Sequence, residues 1–339
     1  MRPFGFGIVG TGMIAAFHAR AVRSLPDARL VGVASRSLAS AQRFCAEQGG
    51  EPYASLDALL SRPDLDVLLV ATPSGAHLEP VLAAAAAGKH VLCEKPLEIA
   101  TERIDRMIAA HAAAGTRLGC IFQFRFLPAV QAIRAALRSG RFGQLTFGGA
   151  FVPWWRDASY YTDSPWHGKR DLDGGTLMNQ AIHVVDLLCD LMPPVVSAKA
   201  HFAVNGHTGL EAEDAATASL RFEGGALGLI HGTTSFYPGL PKRLEIAGTD
   251  GSAVLTDNAL SHFAFRRPLP DDVSAFAPAP AAATGAGRPD AMTHELHAAC
   301  FAAFRSAVEA GTPFVCEGSS ARKSVALIEQ LRKSAEAEV

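Results

Sequence analysis

A chain of 339 residues is longer than one ordinary hydrophobic core supports and suits two domains. Its formal net charge of -2, without any block of like charges, excludes the electrostatic footprint of a nucleic-acid binder or of a protein held on an anionic membrane, and leaves small molecules as the expected partners. The six cysteines stand far apart with no C-x-x-C pair, which excludes a zinc knuckle and a dense disulfide framework and reads as reduced thiols of a cytoplasmic protein without a metal site.

From the amino terminus to residue 122, short apolar runs alternate with amphipathic segments, the rhythm of repeated βαβ units and hence of a parallel sheet. The first run, Phe6 to Val9, ends in Gly10-Thr11-Gly12-Met13-Ile14-Ala15, and a helical pattern runs from Met13 to Ser24. This is the G-x-G-x-x-A dinucleotide fingerprint in its required place between strand and helix. Its glycines permit a tight turn and a close approach of backbone to a pyrophosphate at the helix amino terminus. The run Leu30 to Ala34 closes on Ser35-Arg36-Ser37, ahead of a helical pattern from Leu38 to Gln48. An acidic residue about 20 positions after the fingerprint would bond the ribose 2′-hydroxyl of NAD. Here an arginine stands 24 positions after Gly12, and its planar fork suits a 2′-phosphate, so NADP is the preferred cofactor and NAD the other choice. The alternative is that Ser37 caps the next helix and Arg36 is solvated.

The run Val67 to Ala71 leads into Thr72-Pro73-Ser74-Gly75-Ala76-His77, whose proline and glycine shape a turn at the cofactor. His77 opens the helical pattern from Ala76 to Ala87, either as a cofactor contact or as a packing or capping residue. The run His90 to Cys93 then delivers Glu94-Lys95-Pro96. Proline steers the residue before it away from the right-handed helical region, so Lys95 is presented from an extended segment at the carboxyl edge of the sheet, where open α/β folds bind ligands. Lys95 is therefore the candidate acid/base, against the alternative of a surface lysine in a loop. A helix from Glu102 to Ala114, with Thr101 as its cap, and the run Leu118 to Phe122 complete a dinucleotide-binding domain over residues 1–122. No run approaches the roughly 18 consecutive apolar residues that cross a bilayer, so a soluble protein is expected.

Residues 123–339 break this rhythm and form the second expected domain. A helix from about Pro128 to Ser139 and a strand from Leu145 to Val152 lead into the polar, aromatic loop WWRDASYYTDSPWHGKRDLDGG. An apolar helix from Thr176 to Met192 follows, and then several β-rich runs from Val195 to Phe265 without helices between them. That composition predicts an α+β domain with a large, mostly antiparallel open sheet. The segment Arg267 to Asp290 reads as a long excursion, and two helices near 293–310 and 318–336 close the chain. Within the apolar helix, Asn179, His183, Asp186 and Asp190 fall on one narrow stripe, and buried polar groups of this kind need partners. His183 is accordingly a candidate catalytic or substrate-binding residue, against the alternative of a hydrogen-bonded core histidine. In the loop, Trp166 offers an aromatic face to a sugar ring and Arg170 a cation to a carboxylate or phosphate, which predicts a substrate lid, with interdomain or intersubunit packing as the other reading. Arg125, just past the last strand of the first domain, is a further substrate-contact candidate or a domain linker.

The opening GIVGTGMIA, the segment ATPSGAHLEPVLAAAAAGKHVLCEKPLE and the segment GGTLMNQAIHVVDLL resemble the glucose-fructose oxidoreductase / inositol dehydrogenase / MocA (Gfo/Idh/MocA) family over nearly the whole chain. The resemblance implies a Rossmann domain, a carboxy-terminal domain whose open sheet mediates a homodimer or homotetramer, and NAD(P)-linked oxidation or reduction of sugars, cyclitols or their derivatives. It puts Lys95 and His183 at catalytic positions, and the expected cofactor contacts of the first domain include Thr72, Pro73, His77, Glu94 and Lys95 itself. Many members carry Asp where this chain has Asn179. Asn179 supplies no charge but can bond a substrate hydroxyl, so Lys95 is weighted above His183 as proton carrier, and Asp186 is a substitute orienting group for His183. Two rivals stand beside this reading: a non-catalytic NAD(P)-binding sensor of the same fold, and a dihydrodiol or other non-sugar dehydrogenase.

Overall fold

The structure is a computed structural model and describes residues 2–272 and 294–336. By contacts the chain falls into two units, Met1–Gln123 with Thr293–Arg322, and Phe124–Met292 with Lys323–Val339.

The first unit alternates β1 (Phe4–Val9), α1 (Met13–Ser24), β2 (Ala28–Ala34), α2 (Leu38–Gln48), β3 (Glu51–Tyr53), α3 (Leu56–Leu60), β4 (Val67–Val70), α4 (Leu78–Ala86), β5 (His90–Cys93), α5 (Thr101–Ala114) and β6 (Leu118–Cys120). Among the described residues the strands form one six-stranded sheet, β3-β2-β1-β4-β5-β6, with every pairing parallel. All of β4 is buried, as a strand covered on both faces should be. The strand order reverses between β1 and β4, so their carboxyl ends at Val9 and Val70 open the crevice in which such sheets take a ligand. Two details differ from the sequence reading. Strand β3 carries no apolar run, and its Pro52 is tolerated because the strand lies at the sheet edge. Helix α5 takes Ala100 as its N-cap, which puts Thr101 one residue too far inside to be the cap.

The second unit runs through α6 (Pro128–Arg138), β7 (Leu145–Pro153), α7 (Ala158–Thr162), a π-helical turn (Leu177–Ala181), α8 (Ile182–Leu191), β8 (Val195–Ala203), β9 (Ala215–Phe222), β10 (Leu227–Thr233), β11 (Arg243–Gly248), β12 (Gly251–Thr256) and β13 (Ala259–Phe265). Its seven-stranded sheet, β13-β12-β11-β7-β10-β9-β8, is antiparallel except where β7 lies beside β10. Buried and outward side chains alternate along β9, so one sheet face is covered and the other open. The covering element is α8, buried from Ile182 through Leu188 and packed on β7 and β11. The helix expected from Thr176 is present but opens with the π turn, a widening that recurs at functional sites. Of the expected excursion from Arg267 to Asp290, residues after 272 lie outside the described residues. No helix of the described residues is long and apolar enough to cross a membrane.

Helices α9 (Glu295–Ala310) and α10 (Gly318–Glu336) end the chain. Helix α9 packs on α1 within the first unit, with Phe301 stacked on Phe6 at 6.1 Å between ring centroids and Phe304 meeting Phe314 edge-on at 5.1 Å. Gly119 of β6 makes room for this, since a Cβ there would stand 2.9 Å from both Phe304 and Phe314. The division thus differs from the contiguous one expected after residue 122. The buried face of α1, which includes Phe17, His18 and Val22, needs an apolar cover, and α9 supplies it.

Candidate active site

Gly10 leaves β1 at φ +109°, and a Cβ there would lie 2.4 Å from the carbonyl oxygen of Ala71, so only glycine lets the turn pass this close to β4. Gly12 is the N-cap of α1 and brings no side-chain hydrogen bond to the first turn, while a Cβ on it would meet nothing within 4 Å. The amides of Met13 and Ile14 are thereby left in the form of a pyrophosphate cradle at the carboxyl end of β1, and these residues fit a dinucleotide. Beside them Thr11 Oγ1 lies 3.4 Å from Ser35 Oγ. Arg36 is exposed and, among the described residues, has neither an ion-pair nor a hydrogen-bond partner. Ser37 is occupied as the N-cap of α2, accepting from the Ser40 amide at 3.4 Å.

After β4, the Thr72 hydroxyl donates to the Ala76 carbonyl at 3.0 Å and closes the turn that includes Pro73. His77 is fully buried, with Nε2 3.0 Å from the Thr72 carbonyl oxygen and Nδ1 2.9 Å from that of Pro96. Of the two readings of His77, the cofactor contact is therefore corrected in favour of packing: the ring is sealed inside the unit as a clamp between the turn after β4 and the loop after β5. Glu94, also expected at the cofactor, is 6% exposed and spends its carboxylate internally. One oxygen is hydrogen-bonded to His18 Nε2 at 2.7 Å, the other accepts the Lys95 backbone N–H at 3.1 Å, and His297 Nε2 stands 4.0 Å away. Burial pushes this carboxyl up, but the hydrogen bond from His18 and the charges of His18, His297 and Lys95 outweigh burial and hold it at about 2. Lys95 itself is half-buried, and its peptide bond to Pro96 is cis.

In the second unit, Asn179 lies in the π turn and His183 in the first turn of α8, both buried. Asn179 Nδ2 donates to the Asp173 carboxylate and, at 3.2 Å, to the Tyr160 hydroxyl. Gln180 reaches the same hydroxyl at 2.7 Å, and Arg156 donates to Gln180 at 3.0 Å. The negative charge missing at position 179 therefore stands one hydrogen bond away, in Asp173. Burial, with Asp173 nearby, raises the Tyr160 hydroxyl well above the usual phenol range, so it serves as a neutral hydrogen-bonding group. The His183 ring packs on Phe124 at 4.6 Å, and Lys242 places its ammonium 4.6 Å from the centroid of the same Phe124 ring. Burial pushes Lys242 down to about 8 against the opposing pull of Asp257.

Two sequence expectations change here, those for Arg125 and Asp186. Arg125, proposed to meet substrate, is 1% exposed and donates to both oxygens of Asp186 at 2.7 and 2.6 Å, with Asp190 at 3.1 Å. It is the internal counterion of α8, and Asp186, expected to orient His183, is its partner. Arg170 gives its backbone N–H to the Glu211 carboxylate at 3.3 Å and its guanidinium to the Glu211 carbonyl at 3.2 Å. The aromatic loop is anchored rather than loose: Trp154 and Arg156 are buried, His167 stacks on Tyr160 at 4.0 Å, Trp166 lies 4.0 Å from His167, and the Tyr161 hydroxyl is 2.7 Å from that of Thr234. Sequence reasoning missed His18, His297, Asp173 and Lys242. Of these only His18 had a visible signal, a histidine inside the apolar face of the helix that follows the fingerprint.

Residues 4–122 match the oxidoreductase family with an NAD-binding Rossmann fold, and residues 130–254 match the GFO/IDH/MocA C-terminal domain. The chain belongs to the Gfo/Idh/MocA oxidoreductase family. Inositol 2-dehydrogenase of Rhizobium meliloti (strain 1021) is 27% identical over 341 residues, spanning 97% of this chain and 96% of that protein. The 1,5-anhydro-D-fructose reductase of Ensifer adhaerens is 30% identical over 258 residues, 74% of each chain. The crystal structure of the WlbA dehydrogenase from Bordetella pertussis in complex with NADH and UDP-GlcNAcA is similar with a TM-score of 0.90 at 32% identity, covering 100% of this chain and 97% of that one. Like these Gfo/Idh/MocA relatives, the chain is an NAD(P)-dependent dehydrogenase or reductase.

Proposed function

We propose that the protein transfers a hydride between a nicotinamide and a secondary hydroxyl or ketone of a sugar, cyclitol or sugar derivative, with Lys95 as the acid/base. The observation that carries this reading is the setting of Lys95: half-buried at the carboxyl end of β5, with its backbone N–H held by the buried Glu94 carboxylate. The bound nicotinamide supplies the hydride acceptor or donor. Lys95 Nζ takes the hydroxyl proton during oxidation and returns it during reduction. Since only a neutral amine accepts that proton, oxidation rises with pH through the titration of Lys95. His183 bonds the reacting oxygen, Asn179 positions an adjacent hydroxyl, and Trp166 offers its face to the substrate ring. The substrate class draws support from the relatives, which are named for inositol, for 1,5-anhydro-D-fructose and, in a bound complex, for UDP-GlcNAcA. For the cofactor, the uncommitted guanidinium of Arg36 favours NADP over NAD, and for assembly the open sheet face favours a homodimer or homotetramer. The test is a turnover screen of polyols, aldoses and sugar acids with both cofactors, followed at the reduced-nicotinamide absorbance band. A steady change with members of the panel is expected. Silence across the panel with cofactor tightly bound would point instead to a regulatory role.

A further inference from the structure

We propose that His18 and His297, acting through Glu94, are positioning residues for Lys95: the buried cluster fixes the segment that carries this lysine and holds the Glu94 carboxylate behind it. The inference rests on the reading of Lys95 as acid/base. Its three members come from distant stretches, α1, the end of β5 and α9, yet they are 0%, 6% and 1% exposed for His18, Glu94 and His297. Their ligating atoms all lie within 4.8 Å of one another. A metal centre does not explain that closeness. His18 Nε2 and Glu94 Oε1 are 2.7 Å apart, a hydrogen-bond distance, whereas two ligands of a tetrahedral ion stand about 3.4 Å apart when metal–ligand lengths are roughly 2.1 Å.

Packing does not explain it either. The surroundings are apolar: Phe301 meets the His18 ring at 5.4 Å, and the His18 and His297 rings are 5.6 Å apart. Hydrophobic residues fill such a space at least as stably as a buried ion cluster. What the ion cluster adds is direction. Glu94 turns one oxygen to the histidines and the other to the Lys95 backbone N–H, so the helix after the dinucleotide fingerprint, the lysine segment and α9 share one carboxylate. Further titratable groups near Glu94 include Cys93 on its own strand, which also feels the charge of Glu98, and Cys120 of β6, whose Sγ lies 3.9 Å from the Glu94 carbonyl oxygen. Burial pushes the Cys93 thiol far up, so it adds no charge. The charge this cluster holds behind Lys95 is thus the Glu94 carboxylate.

That arrangement separates two kinds of substitution. Glu94→Gln keeps an acceptor for the Lys95 N–H but removes a negative neighbour, which favours the neutral amine. His18→Leu keeps the carboxylate but removes the donor that fixes it, whereas His18→Gln keeps a donor. The test is competitive acetylation of the cofactor-free protein from neutral to alkaline pH, read at Lys95 by peptide mass spectrometry, together with the pH profile of kcat for oxidation. Glu94→Gln is expected to move the Lys95 titration and the kcat limb down by about one pH unit, and His18→Leu to lower kcat about tenfold or more with His18→Gln restoring it, cofactor affinity being retained throughout. His297→Leu, which breaks no short hydrogen bond to Glu94, should follow His18→Leu with a smaller loss and serves if that variant does not fold. An unmoved Lys95 titration in Glu94→Gln, or a kcat that falls only in step with thermal stability and is not restored by His18→Gln, would reduce the cluster to a structural role and overturn the proposal. Lys95→Ala separates the two readings: retained turnover ends both, while lost turnover with unmoved titrations ends only this one.

Discussion

Arg36 brings an exposed guanidinium with no internal partner among the described residues to the end of β2, where the ribose of a dinucleotide would lie. A charge-assisted bond to a 2′-phosphate is worth about 1.5–3 kcal/mol. Arg36→Ala should therefore weaken NADP by roughly tenfold to a hundredfold in a fluorescence titration and leave NAD nearly unchanged; equal loss for both cofactors would contradict the assignment. The backbone settings of Gly10, Gly12 and Lys95 were legible in the sequence because they follow from local geometry: a turn, a helix start, a residue before proline. His77 and Arg125 were not. A histidine or arginine does not announce its partners, and here these are carbonyls at Pro96 and Leu97 and a carboxylate at Asp186, brought together only by the fold.

Among the elements, α8 does two jobs with one polar stripe. Its amino-terminal part carries His183 behind the π turn that holds Asn179, while Asp186 and Asp190 seat Arg125 in the interior. Removing one partner of a buried pair strands the other charge, at a cost of about 3–5 kcal/mol. Asp186→Ala should lower the free energy of unfolding by an amount near the bottom of that range, because Asp190 remains 3.1 Å from Arg125; an unchanged midpoint in urea unfolding would contradict the buried-pair account. The 3.6-residue periodicity announced this helix, as two-residue alternation announced β9. The π turn left no mark, since one extra residue in a helical turn does not disturb an almost wholly apolar pattern. Strand β3 was hidden for the opposite reason: Glu51-Pro52-Tyr53 has no apolar run, and its pairing with β2 supplies what its sequence lacks.

For the molecule as a whole, the class of each half was readable from the order of its elements, but the return of α9 to the first unit was not, because about 170 residues separate it from β6 and contacts at that range leave no local pattern. The open face of the second sheet carries Leu227 and Leu229, which are 54% and 45% exposed. Light scattering is expected to give a homodimer or homotetramer, and the paired changes Leu227→Glu and Leu229→Glu to shift it toward monomer; a monomeric parent, or an unchanged mass in the variant, would rule out assembly through this face. On the proposed reading, every proton transfer passes through one amine. Single-turnover hydride transfer by Lys95→Ala, measured with the cofactor saturating, tests this most directly. The account expects a fall of at least about a hundredfold with cofactor affinity unchanged, and near-normal transfer by that variant would contradict it.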